Sequence, residues 1–134
     1  MTEVKCRIST VHRVSEDMLL IAIDPNKKVQ VKDVIELKKA ALKIGDGKPF
    51  YNLVSVGPFT LPTRKAREVS CSVEGSYYKL GEAFVVKTLP QRLICRVLIK
   101  LNKPTVPTQC FETIQEAKQW LRALRAERKL QSVF

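Results

Sequence analysis

Residues 47–73 read GKPFYNLVSVGPFTLPTRKAREVSCSV, and this stretch decides the predicted fold. Most residues from Phe50 to Val56 are apolar β-formers, and prolines and a glycine bound the run. Short runs of this kind are typical of strands covered on both faces, as in parallel sheets flanked by helices. After a turn over Gly57–Thr63, apolar residues recur at helical spacing, which predicts a helix over Arg64–Val73. The stretch therefore predicts one strand–turn–helix unit of an α/β protein.

The start of this helix is the candidate binding site. Thr60 and Thr63 both stand where an N-cap residue belongs, and the sequence leaves open which of the two caps the helix. A helix N-terminus carries free N–H groups that favour an anion. Arg64, Lys65 and Arg67 add cations that can donate charge-assisted hydrogen bonds to a phosphate. We therefore expect a partner protein, a phosphothreonine or an anionic ligand to use this surface.

Composition narrows the class of protein. At 134 residues with 45% hydrophobic residues, the chain is long enough for one domain with its own core, and we assign 1–134 to it. The longest wholly apolar run, Met18–Ile23, is too short to span a bilayer, and the first residues do not resemble a secretion signal, so we expect a cytoplasmic protein. The net charge of +11 is dispersed along the chain without aromatic interleaving, which does not favour nucleic-acid binding.

Residues able to perform catalysis are sparse in this sequence. The 4 cysteines are widely spaced and form no Cys-x-x-Cys pair, so we expect neither a metal nor another cofactor. His12 is the single histidine, and Cys71 is the one nucleophile worth pairing with it. The two are far apart in sequence, and we expect a non-enzymatic protein.

The remaining segments alternate between strands and helices. An edge strand over Val4–Val14, with His12 on its drier face, forms a hairpin with the next strand. Later helices are capped by Thr88 and by the capping box of Thr113 and Glu116. This order predicts a mixed, mostly parallel five-stranded sheet with four helices. The other predicted elements are strands over Met18–Ile23, Glu82–Lys87 and Val106–Phe111 and a helix over Lys32–Ile44.

The helix after Thr88 carries more apolar residues than one buried stripe needs. Such a helix is deeply covered or takes part in a contact between subunits, and a homodimer is therefore expected. A binding face for a lipid is the alternative. The residues of this predicted dimer or ligand face are Leu93, Ile94, Val97, Leu98 and Leu101.

Several short motifs resemble the SpoIIAA-like fold, which includes the STAS domains of anti-sigma factor antagonists and the lipid-binding Sec14-type domains. A small bacterial STAS-like family is most similar. The motifs are Gly47-Lys-Pro-Phe50, Ala66-Arg-Glu68, Asn102-Lys-Pro104 with Pro107, and Phe111 followed by Glu116-Ala117 and Trp120-Leu121.

The resemblance implies a β-α superhelix and a non-enzymatic regulatory module that binds an unidentified regulatory protein. A binder of a lipid or of another apolar anionic small molecule is the alternative. In the sporulation-type members, a serine in the strand-to-helix turn is phosphorylated by a partner kinase. The matching turn here lacks the aspartate and the glycine of that motif, and keeps a hydroxyl at Thr60 or Thr63.

Overall fold

A six-stranded mixed sheet forms the centre of the molecule, in a computed structural model that describes residues 2–133. The strand order is β1-β2-β3-β5-β7-β8. The first three strands pair antiparallel, and the pairs β3–β5, β5–β7 and β7–β8 are parallel. The strands are β1 (Glu3–Lys5), β2 (Ser9–Arg13), β3 (Met18–Ile23), β4 (Lys28–Val29), β5 (Phe50–Val56), β6 (Leu61–Pro62), β7 (Lys79–Val86) and β8 (Thr108–Phe111).

Helices cover both faces of this sheet. The longest, α5, packs against β5, β7 and β8 on one face, and α1, α2 and α4 lie on the other. The mostly parallel sheet with flanking helices confirms the predicted fold class. The helices are α1 (Val31–Ile44), α2 (Arg64–Cys71), α3 (Val73–Ser76), α4 (Leu89–Asn102) and α5 (Ile114–Val133).

The predicted edge strand over Val4–Val14 is two strands, which raises the strand count of the sheet from five to six. A turn at Cys6–Ile8, closed by the bond from Cys6 N to Ser9 O (2.8 Å), folds β1 back onto β2. The turn shifts the alternation of β2, so Val11 is buried and His12 is half-buried. The predicted inward face of the strand was therefore wrong beyond the turn, although the hairpin of β2 with β3 is confirmed.

The central strand–turn–helix unit forms with the predicted strand bounds. Thr63 caps α2, because its hydroxyl accepts from Ala66 N (3.1 Å). The helix ends at Cys71 rather than Val73, since Ser72 has an extended backbone and caps the short helix α3. This extra helix explains the difference from the four predicted.

The turn itself is packed against the end of β3. Strands β4 and β6 pair beside it as a small parallel sheet. The turn lies so close to the loop after β3 that a Cβ added to Gly57 would overlap the backbone of Pro25. The loops that follow β3 and β5 therefore lie side by side at the carboxyl ends of these strands. Open α/β sheets usually bind ligands at this edge.

Other boundaries moved by a few residues. The predicted strand over Glu82–Lys87 begins earlier, at Lys79, and the strand over Val106–Phe111 begins later, at Thr108. Helix α4 ends at Asn102, and Lys103 adopts the left-handed cap conformation, with φ of 45°. The caps at Thr88 and Thr113 form as predicted, with Gln91 N and Glu116 N as the donors.

Candidate ligand-binding site

The predicted anion-binding surface is divided by the fold. Arg64 is highly exposed and contacts Glu68 through Nε and Oε1 (3.1 Å), and Lys65 is exposed beside it. Arg67 points elsewhere, because its Nε donates to Asn102 Oδ1 (3.2 Å) on α4. Arg67 therefore lies partly against α4, although Arg64 and Arg67 both line one shallow surface groove.

Thr60 is a structural residue. Its side chain is only 2% exposed, and its hydroxyl donates to Asp24 O while accepting from Lys27 N (3.1 Å). These two bonds tie the turn after β5 to the loop after β3. A buried hydroxyl that is already bonded in both directions is not available to a kinase or to an incoming anion, so Thr60 does not belong to an exposed site.

Helix α4 presents its broad apolar face in two directions. Leu93, Val97 and Leu101 point outward, with between 52% and 68% of their surface exposed. Ile94, which is 41% exposed, and Leu98, which is half-buried, line a cavity. The five residues that the sequence grouped into one face are therefore divided between an outward stripe and the wall of a cavity.

The cavity has a volume of about 160 Å³ and lies between α1, α2 and α4 and the sheet. Its walls are predominantly apolar, since strands β3, β5 and β7 supply the floor and α4 supplies the cover. The principal apolar side chains around the cavity are Ile21, Leu37, Val54, Phe84, Ile94 and Leu98.

One end of the cavity is polar and is built around a buried ion pair. Lys79 Nζ donates to Glu82 Oε1 (3.1 Å), to Ser70 O (3.1 Å) and to Ser70 Oγ (3.0 Å). Burial alone would lower the pKa of Lys79, but Glu82 and Tyr78 outweigh it and the pKa lies above its ordinary value. Burial raises the pKa of Tyr78 to about 12, so its phenol stays neutral beside the ammonium.

A β-bulge explains why the sequence did not reveal this pair. Residues three apart in a regular strand point to opposite faces. Phe50 pairs with Lys79 whereas Tyr51 pairs with Gly81, so one extra residue enters β7 between Lys79 and Gly81. The bulge brings Lys79 and Glu82 to the same face. Two charged residues within an otherwise apolar strand were the only available signal.

The cavity reaches the surface along the seam between α2 and α4. Arg67, Cys71 and Asn102 line the cavity and also a shallow surface groove that continues to Arg64 and Leu101. The hydrogen bond between Arg67 and Asn102 spans this seam. Of the predicted anion-binding residues, Thr60 and Arg67 line the cavity.

Two cysteines lie where α4 packs against β8, Cys95 on the helix and Cys110 on the strand. Cys95 lines the cavity, and its hydrogen bond to Cys110 is the main reason that the pKa of Cys110 falls to about 7, with Arg96 and Arg92 adding to it. The same hydrogen bond, with burial, raises the pKa of Cys95. Both thiols are free.

Cys71 and His12, which the sequence considered as a nucleophile and a base without predicting an enzyme, lie in different parts of the fold. Cys71 lies at the end of α2 on the cavity wall, whereas His12 lies on β2, with Nδ1 3.5 Å from Glu3 Oε2. Within residues 2–133, no group of three or more histidine, cysteine or acidic side chains is placed to hold a metal ion. Nor does that part of the chain contain a helix that is both long and apolar enough to cross a membrane.

Comparison with known proteins identifies the family of this chain. The model of DUF7793, a domain of unknown function, matches residues 12–125. The chain belongs to the DUF7793 family. No curated protein matches this DUF7793 chain significantly.

One solved structure shares the fold of the DUF7793 chain. It is an uncharacterised DUF3478-family protein from Shewanella loihica PV-4 with a SpoIIAA-like fold, which superimposes with a TM-score of 0.58. The match covers 88% of this chain and 98% of that chain at 14% sequence identity. At this identity the likeness concerns the fold alone, and it confirms the SpoIIAA-like fold that the sequence motifs indicated.

Proposed function

We propose that this DUF7793 protein is a non-enzymatic binding module that holds an apolar small molecule beneath α4. The observation that carries the proposal is the cavity of about 160 Å³ between that helix and the sheet. Protein interiors are normally filled to crystal density. Because the side chains around an unfilled space lose packing contacts, leaving such a space unfilled costs stability. A ligand that fills the space recovers part of that cost.

The size of the cavity limits what binds without rearrangement. An engineered apolar cavity of about 150 Å³ accepts benzene or xenon. A single ring or a short alkyl chain therefore fits here, and a full acyl chain needs α4 to move. The packing of α4 supports such movement, since Gln91 is its one fully buried residue. Elements with few buried contacts open at low free-energy cost.

Toluene titration followed by methyl resonances in NMR spectra tests this function. We expect saturable shifts at Val54, Ile94 and Leu98 and a raised melting temperature. The variant Leu98→Trp fills the cavity and is expected to abolish binding. Its matched control is Val97→Trp, because the neighbouring residue projects into solvent and leaves the cavity unchanged. Absence of saturable shifts in the wild-type protein would reject the proposal.

A second candidate is the protein-interaction module that the sequence suggested. The outward stripe of α4 supports it, because Leu89, Leu93, Val97 and Leu101 are four residues apart and all exposed. From residue 83 to residue 111 the chain contains 5 lysines and arginines and no acidic residue. Such a surface suits a partner with an apolar patch surrounded by acidic residues.

The same charges bear on self-association. Two copies joined through this stripe would bring their cations together, which disfavours the predicted homodimer relative to an acidic partner. The homodimer stays a prediction. The cytoplasmic location also stays a prediction, supported by four free cysteines, as expected in a reducing compartment.

The partner surface can be separated from the cavity by charge reversal. Arg64→Glu with Lys65→Glu changes the exposed start of α2, and Arg96→Glu with Lys100→Glu changes the basic row of α4. We expect both double variants to lose capture of a co-purifying protein and to keep toluene binding. Lys43→Glu, on the exposed end of α1, is the matched control. Unchanged capture by both double variants would remove this candidate.

A further inference from the structure

An arginine without a counterion lies where the cavity meets the surface. Arg67 is half-buried, and it lines both the cavity and the shallow groove between α2 and α4. Its Nε donates to Asn102 Oδ1 (3.2 Å), while neither Nη atom donates to a group within residues 2–133. No carboxylate in that part of the chain forms an ion pair with it. Both Nη groups of the guanidinium are therefore available to a ligand.

The charged side chains of the groove do not balance one another. The groove is lined by Arg64, Arg67 and Glu68, and Glu68 Oε1 already pairs with Arg64 Nε (3.1 Å). The positive charge of Arg67 is therefore left uncompensated at the mouth of the cavity. A partly desolvated charge without a partner is unfavourable, so an anion with a single charge is stabilised at this position.

The interior of the cavity suits the uncharged part of a ligand. Its walls are predominantly apolar, and the buried ion pair on them is complete, because Lys79 Nζ has three acceptors within 3.1 Å and Glu82 balances its charge. An ionised group placed inside would lose its hydration without gaining a counterion, which is strongly unfavourable. The charge of a ligand therefore belongs at Arg67, and its apolar part belongs in the cavity.

We propose that the cavity selects a small amphipathic monocarboxylate, with its apolar body in the cavity and its carboxylate on the guanidinium of Arg67. The two Nη groups of a guanidinium match the two oxygens of a carboxylate. A cavity of about 160 Å³ accommodates a single ring or a short alkyl chain as the apolar body. The inference rests on the proposed function, since it names the ligand class of the same cavity. It assigns to Arg67 the role of a specificity-determining residue.

Ligands that share a phenyl ring and differ in the end group test the inference. The series is toluene, phenylacetamide, phenylacetate, phenyl phosphate and phenethylammonium, titrated at pH 7 and followed by NMR. We expect phenylacetate to bind about tenfold tighter than phenylacetamide, because it alone of the two forms charge-assisted hydrogen bonds with Arg67. Phenethylammonium should bind at least about tenfold more weakly than phenylacetate. Added salt should weaken phenylacetate binding and leave toluene binding unchanged, since only the carboxylate forms an ion pair.

The variant Arg67→Gln separates recognition of the ligand from folding. It removes the charge, so phenylacetate should bind no tighter than phenylacetamide, whereas toluene should bind as it does to the wild type. Arg67→Lys keeps the charge without the planar fork and should keep part of the preference. The matched control is Lys65→Gln, because Lys65 carries the same charge on the same helix, is exposed and lies outside both the cavity and the groove. In the wild-type protein, the Nε–H resonance of Arg67 should shift with phenylacetate and not with toluene.

The possible failures are distinguishable. If toluene binds and phenylacetate binds no tighter than phenylacetamide, or if phenyl phosphate or phenethylammonium binds tightest, the inference is overturned while the proposed function stands. If the preference for phenylacetate survives Arg67→Gln, or is lost equally in Lys65→Gln, the role of Arg67 is rejected. If no member of the series binds, the proposed function and the inference fall together.

Discussion

The two faces of the sheet are packed differently, although each is covered by helices. On the α5 face, Leu53, Ala83 and Leu121 have no exposed surface, and small residues such as Gly81 let the helix lie close to the strands. On the opposite face, α4 covers a cavity of about 160 Å³ and a buried ion pair. The difference teaches that one face of the sheet is filled by close packing, while the other retains space and polar groups, which the proposed function assigns to a ligand.

The largest expected effect comes from breaking the ion pair on the α4 face. Glu82→Leu leaves the Lys79 ammonium buried without a counterion, and we expect the free energy of unfolding to fall by about 3–5 kcal/mol. Urea denaturation measures it. The double variant Lys79→Met with Glu82→Leu should recover most of the loss, because no charge then remains unpaired. If Glu82→Leu alone had the same free energy of unfolding as the double variant, the Lys79 ammonium would not be buried as the structure shows.

The next effect compares one leucine from each face. Leu121→Ala removes a fully buried side chain of α5 and should cost about 3–4 kcal/mol. Leu98→Ala enlarges an existing cavity where contacts are already incomplete, and should cost less than about 1.5 kcal/mol. Urea denaturation measures both losses, with one m-value, the dependence of the unfolding free energy on urea concentration, used for both variants. Equal losses would mean that the two faces are packed alike.

Alkaline pH should weaken the α4 face selectively. The pKa of Tyr78 is raised to about 12 by burial, so the folded protein holds a proton that the unfolded chain loses near pH 10. Stability therefore falls between about pH 10 and pH 12, by roughly 2–3 kcal/mol from this group. The raised pKa of Lys79 acts in the same direction, since its contribution is complete below pH 10.5 and is lost above it.

Tyr78→Phe isolates the contribution of the phenol. The variant should lose less stability than the wild-type protein between pH 10 and pH 12 and should resemble it near neutral pH. Tyr77, which is exposed, provides the matched control as Tyr77→Phe. Identical pH profiles for Tyr78→Phe and the wild type would show that the Tyr78 phenol is accessible to solvent.

The sequence predicted the elements whose signals are local. Met18–Ile23 and Phe50–Val56 were placed with the observed bounds, because turn residues end each apolar run. The caps of α4 and α5 were found because a threonine and its backbone partner lie three residues apart. Signals of this kind are complete within a few residues and do not depend on the tertiary structure.

The candidate site depends on information that no local pattern contains. A bulge near Leu80 decides that Lys79 and Glu82 share a face, and the two charged residues in an otherwise apolar strand do not reveal its position. Likewise, Thr60 and Thr63 are equivalent as N-cap candidates until the loop after β3 occupies the Thr60 hydroxyl. The sequence indicated that the apolar face of α4 is broad. Which of its residues face solvent and which face the cavity depends on where the helix lies on the sheet.

The smallest effect on stability is expected from the outward stripe of α4. Leu93→Gln with Val97→Gln changes side chains that are already exposed, so the free energy of unfolding should stay within about 0.5 kcal/mol of the wild type. The substitution Leu98→Gln introduces an amide into the cavity wall. It should lower the free energy of unfolding by about 2 kcal/mol and abolish toluene binding. A large loss from the outward pair would show instead that the stripe is covered in solution. If that loss grew with protein concentration and light scattering gave twice the monomer mass, the stripe would be the contact of the predicted homodimer.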